Sequence, residues 1–87
     1  MANNYKSASI SVTTSATQIS PGWDIESLSV LPTDGDISVR LKNKNGWGDW
    51  IPVVEDVALN IEVECFRVEI KSQSGTVAVD YFLKGDK

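Results

Sequence analysis

The segment Asp36-Ile37-Ser38-Val39-Arg40-Leu41-Lys42 alternates a charged or hydroxyl side chain with an aliphatic one at every step. Successive side chains of an extended chain point to opposite faces, so this period of two predicts a strand with one face for a core and one for water. The same rhythm recurs on both sides of it. Ala8, Ile10 and Val12 alternate with Ser7, Ser9, Ser11 and Thr13, and Val77, Val79, Tyr81 and Leu83 alternate with Thr76, Ala78, Asp80 and Phe82. None of these stretches carries the i, i+3, i+4 spacing of an amphipathic helix.

Two segments break the rhythm. In residues 57–70, Val57, Leu59, Ile61, Val63 and Cys65 share one parity and Phe66, Val68 and Ile70 the other. A one-residue slip inverts every side chain, so a bulge or corner is expected near Glu64-Cys65, where the chain passes from one sheet to another. In residues 25–31, Leu28 and Val30 oppose Ile25 and Leu31 in parity, which fits a strand buried on both sides or a second bulge. Turn chemistry separates the strands at Ser20-Pro21-Gly22, Pro32-Thr33-Asp34-Gly35-Asp36, Lys44-Asn45-Gly46 and Ser72-Gln73-Ser74-Gly75. Asp-Gly and Asn-Gly tolerate the positive φ of tight turns. The expectation is an all-β chain, a single antiparallel β-sandwich of jelly-roll or Ig-like type over residues 1–87, with about seven to eight short strands.

A chain of 87 residues buries a modest core, and domains of this size commonly lean on a disulfide, a metal or a partner. Cys65 is the only cysteine and there is no histidine, which excludes an intrachain disulfide and a Cys/His zinc site. Association with other subunits is the remaining support. The net charge is −4, from 8 basic and 12 acidic residues, with no basic run, so nucleic acid is not an expected partner. No stretch approaches the roughly 20 apolar residues of a membrane span, and the segment Met1-Ala2-Asn3-Asn4-Tyr5-Lys6 lacks the apolar centre of a secretory signal. The expected site of synthesis is the cytoplasm, with the product staying there or joining a particle.

Without histidine there is no Ser-His or Cys-His pair, and no enzyme activity, cofactor or resident metal is expected. Cys65, at an apolar strand position, reads as a small core hydrophobe. Asp34, Asp36, Asp49, Glu55 and Asp56 would be the oxygen donors of a Ca²⁺ site if their loops met, but capping of tight turns is the expected use of the first two. The loop Asn43-Lys44-Asn45-Gly46-Trp47-Gly48-Asp49-Trp50 carries more information. Trp47 and Trp50 beside Asn45 and Asp49 suit a sugar site, where an indole face stacks on a pyranose and the polar groups bind its hydroxyls. The competing uses are closing one end of the core or anchoring a subunit interface. Trp23 is expected as a lid on the core. Phe82 falls on the outward parity of the last strand, which marks a partner surface.

A Ser/Thr-rich opening strand, Ala8 to Ile19, precedes Asp36-Ile37-Ser38-Val39-Arg40-Leu41, and the chain closes with Phe66-Arg67-Val68-Glu69-Ile70-Lys71-Ser72-Gln73-Ser74-Gly75-Thr76-Val77-Ala78-Val79. In this order of features the chain resembles the small β-sandwich proteins of tailed bacteriophage particles: head decoration or cement proteins, head-fibre bases and tail adaptors. The resemblance implies a structural role in the virion, a homotrimer, and capsid or tail proteins as partners. It carries no defining functional residues, so it assigns no role to Asn45, Trp47, Asp49, Trp50 or Phe82, and a glycan contact through the tryptophan loop stands as the alternative.

Overall fold

Each stretch of alternating side chains becomes a strand in the computed structural model, which describes residues 4–86. The strands are β1 (Asn4–Val12), β2 (Thr17–Ile19), β3 (Asp24–Pro32), β4 (Ile37–Asn43), β5 (Gly46–Trp47), β6 (Ile51–Val53), β7 (Leu59–Ile61), β8 (Arg67–Ser72) and β9 (Val77–Asp86). Met1, Ala2 and Asn3, part of the segment expected to lack the apolar centre of a signal, lie outside this range. Nine strands exceed the expected number because one ribbon is interrupted: β5 and β6 both run antiparallel beside β4, on the side away from β8.

The strands form two antiparallel sheets, the first in the order β1-β9-β3-β7 and the second in the order β2-β8-β4-β5, with β6 also on β4. Counting β5 and β6 as one ribbon, the chain otherwise changes sheet at nearly every connection, and this is the ordering of a jelly roll. An Ig-like sandwich pairs its first strand with its second in one sheet, whereas here β1 lies beside β9.

The two breaks in the alternation have separate causes. In β3, Ile25 opposes Gly85 while Ser27 opposes Lys84, so Glu26 is an extra residue. That bulge lets Ile25, Leu28 and Val30 all point inward, and each is buried. Near Cys65 the chain leaves β7 in the first sheet and enters β8 in the second, as the parity switch predicts. The corner is pinned by a two-way bridge, Ile25 N–H to the Cys65 carbonyl at 2.7 Å and Cys65 N–H to the Ile25 carbonyl at 3.0 Å. Sequence parity overstates this region in one respect. Val57 and Val63, expected to face inward, are 56% and 45% exposed. Only Leu59–Ile61 pairs with β3, and the residues on either side run past the end of the ladder.

Between the sheets lie Val12, Ile25, Ile37, Val39, Val68, Ile70, Val79 and Leu83, all without solvent exposure. Trp23 packs against this cluster from one end, as expected of a lid. It lies over Gly85, where a Cβ would come within 2.8 Å of the indole and collide with the Asp24 carbonyl. At Lys44-Asn45-Gly46 the turn needs Gly46 at φ 110°, a conformation L side chains rarely adopt.

Candidate functional site: the tryptophan face of the second sheet

Trp47 and Trp50 are three residues apart, which on a regular strand sends them to opposite faces. The ribbon opposite β4 is not regular. Trp47 opposes Lys42 and Ile51 opposes Val39, so one more residue separates the pairs on this ribbon than on β4. The additional residue sits in the Gly48-Asp49 step, where Gly48 N–H donates to the Leu41 carbonyl at 2.9 Å. This bulge resets the phase and brings both indoles beside Arg40 on the outer face of the second sheet.

There the rings meet cations. The Arg40 guanidinium carbon lies 4.6 Å from the centroid of Trp47 and 4.6 Å from that of Trp50. The Lys71 ammonium is 4.3 Å from Trp50 and that of Lys42 is 5.6 Å from Trp47. A ladder results, Lys71-Trp50-Arg40-Trp47-Lys42, in which each cation meets the negative face of a π system. Glu69 on β8 holds the centre of it. It accepts from Arg40 Nε at 2.8 Å and lies 2.7 Å from Arg40 Nη2, a pair set up by the direct cross-strand register of Arg40 and Glu69. Arg40, Lys42, Arg67 and Lys71 against Glu69 give this face a positive character on a chain whose net charge is −4.

The expected site residues are only partly brought together. Asn45, Trp47 and Asp49 line one shallow hollow with Asn43, Leu41 and Val63. Trp50 turns instead toward Arg40 and Lys71. Neither Trp47 nor Trp50 packs against the core cluster, so closing the core falls to Trp23 alone among the tryptophans. Phe82 lies on the other sheet. It is 39% exposed on the outer face of β9, with Tyr5 of β1 beside it at 5.9 Å between centroids and 66% exposed. Around them the face is lined by hydroxyls, with Ser9 donating to Asp80 and Ser29 to Asn60, each at 2.6 Å.

The acidic turns behave as caps. Asp34 Oδ1 accepts the Ala78 N–H at 2.7 Å and Asp36 Oδ1 accepts the Glu55 N–H at 2.9 Å. Among the described residues no three acidic, cysteine or histidine side chains converge as a metal site would require. Burial pushes the Cys65 thiol up to about 11, consistent with a core hydrophobe. Sequence reading missed Arg40, Glu69 and Lys71 as members of the tryptophan site. The available signal was the outward parity of Arg40 and Lys42, one strand before two tryptophans spaced by an odd number around Gly48. Comparison with protein-family profiles, with characterised proteins and with solved structures found no match to this chain.

Proposed function

We propose that this chain is a non-enzymatic structural protein of a bacteriophage particle, binding capsid or tail subunits through the outer face of its first sheet and working as a homo-oligomer. One observation carries the reading: Tyr5 and Phe82 stand side by side, both exposed, on a face whose other members include Ser7, Ser9, Ser29, Asn60 and Asp80. Adjacent large aromatics left in water mark a surface that another protein covers. Next to Phe82, a hollow lined by Leu31, Ala58 and Asp80 offers a partner side chain somewhere to insert. Jelly rolls recur in viral capsid and in lectin domains, and the fold alone does not choose between them. The resemblance of its order of features to the virion sandwich proteins supports the first. The test is to purify particles by density gradient from a culture producing this protein and to probe the band for it. Wild-type protein is expected in the band in many copies, with Phe82→Ser strongly depleted. Particles that band without wild-type protein refute the reading.

A carbohydrate-binding module is the second reading, favoured by the shared hollow of Asn45, Trp47 and Asp49. It would rest on Trp47, which lines that hollow, whereas Trp50 does not. A glycan array with wild type and Trp47→Ala tests it, and no ligand for the wild type removes it.

A further inference from the structure

We infer that two copies of this chain join edge to edge through β1, in antiparallel register about a two-fold axis at Ala8, extending the first sheet across the dimer. The inference rests on the self-association in the reading above and names its contact.

Among the described residues, β1 is the one long strand at a sheet edge. It pairs residue for residue with β9 over Asn4–Val12, without a bulge, and among the described residues nothing in the first sheet lies beyond it. The opposite edge of that sheet, β7, and the β2 edge of the second are three residues each. Exposed edges of this length are ordinarily blunted by proline, bulges or several charges, and β1 has only Lys6.

The free groups of that edge can be assigned. Ala78 of β9 accepts from the Thr33 N–H just past the end of β3, so its backbone polar groups face β3. Alternate residues share that direction, so Ala78, Asp80, Phe82 and Lys84 bond toward β3, and Val77, Val79, Tyr81, Leu83 and Gly85 bond toward β1. Their partners in β1 are Val12, Ile10, Ala8, Lys6 and Asn4. The N–H and C=O groups of Tyr5, Ser7, Ser9 and Ser11 therefore point out of the sheet.

An antiparallel second copy satisfies all of these groups in one register. Tyr5 meets Ser11 of the second copy and Ser7 meets its Ser9, with the symmetric pairs completing the set. The axis then passes between the two Ala8 residues, which form a non-hydrogen-bonded pair. The single charge of the strand, Lys6, falls opposite Ile10 rather than opposite its own symmetry mate, so no like charges meet. A second feature points the same way. Ala8 and Ile10 have inward parity yet remain only half-buried, because no strand lies beyond β1 to cover them. The neighbouring copy supplies that cover. The contact is isologous and closes at two copies; three-fold assembly would need a different surface, such as the Phe82 face.

A disulfide at the axis tests the register. Cα atoms of a non-hydrogen-bonded antiparallel pair lie about 4.5 Å apart, within disulfide reach. Ala8→Cys is expected to form a covalent dimer under mild oxidation. Lys6→Cys is not, because its symmetry mate lies about 13 Å away along the strand, and neither is the wild type, whose Cys65 is buried. Sedimentation velocity supplies the second arm. Wild type and Ser7→Ala are expected as dimers at about 100 μM, and Ser7→Pro as a monomer with an unchanged circular dichroism spectrum, since proline removes an outward N–H and leaves the β9 ladder intact. A monomeric wild type with no Ala8→Cys crosslink overturns the inference. So does an oligomer that survives Ser7→Pro while Ala8→Cys stays uncrosslinked. If Ser7→Pro fails to fold, the crosslinking result decides alone. Incorporation into particles is read separately on the gradient, so either reading can fail while the other stands.

Discussion

Arg40→Ala is the perturbation that most directly tests the tryptophan face. The change removes a guanidinium held 4.6 Å from two indole centroids. At half-exposed positions each such contact contributes about 0.5–1 kcal/mol, so the two together contribute about 1–2 kcal/mol. It also removes the hydrogen-bonded ion pair to Glu69, whose side chains are 30% and 16% exposed, on Arg40 and Glu69 respectively. With that much exposure the pair adds about 1 kcal/mol, discounted for solvent screening. The expected loss is about 2–3 kcal/mol, out of roughly 4–13 kcal/mol for a domain of this length. It should lower the melting temperature by roughly 10–20 °C. Urea unfolding followed by tryptophan fluorescence measures it, and two of the three reporter indoles sit in the ladder. Arg40→Lys keeps the charge but not the planar stacking fork, so it should recover less than half of the loss. A double-mutant cycle with Glu69→Ala separates the ion pair from the stacking. A midpoint for Arg40→Ala within about 0.5 kcal/mol of wild type would refute the ladder as a stabilising element, since that is the scatter of ordinary surface substitutions.

Three further outcomes are expected. Gly85→Ala should destabilise by about 2 kcal/mol or more, because its Cβ has no room between the Asp24 carbonyl and the Trp23 ring; calorimetry checks it, and a melting temperature like wild type contradicts the packing. Asp34→Ala should cost about 1–2 kcal/mol by stripping the Ala78 N–H of its acceptor, read as a shift in the urea midpoint without a change in slope. Cys65 ties stability to alkaline pH. Its thiol is raised from 9.0 to about 11 in the folded chain, so the unfolded chain ionises first, and this contribution is intact below pH 9 and lost as pH rises toward 11. The pH dependence of unfolding in that window should flatten in Cys65→Ala.

Much of the fold is legible in the residues. The alternation at Ile37, Val39 and Leu41 and at Val77, Val79 and Leu83 gives strands whose inward members are buried, with Leu41 half-covered. The parity switch at Cys65 marks the passage between sheets. Jelly-roll order was open, because alternation fixes faces and says nothing of neighbours; which strand lies beside β1 is a long-range choice. The exposure of Val57 and Val63 was hidden for the same reason: parity cannot report where a ladder ends. Phe82 was readable as outward from its position alone. Trp47 and Trp50 were visible as a pair, but their joining to Arg40 depends on a one-residue bulge around Gly48. A bulge is set by the tertiary fit of two strands more than by local preference. Lys71 and Glu69 entered the site through cross-strand register, which pairs residues about thirty positions apart in the chain.

The neighbourhood of β1 and β9 has a consequence for how this protein is made. Among the described strands, β1, the earliest in the chain, finds its partner in β9, the latest. Until β9 has been made, β1 is a bare hydroxyl-rich ribbon with both edges open. The first sheet cannot close progressively, and a chain stalled or cleaved ahead of Val77 keeps its aliphatic residues without cover. Closure of the first sheet should then appear as one late step once β9 has emerged, at the slow end of the range for small domains, and nascent copies crowded on a polysome would meet one another's β1 before their own β9 exists.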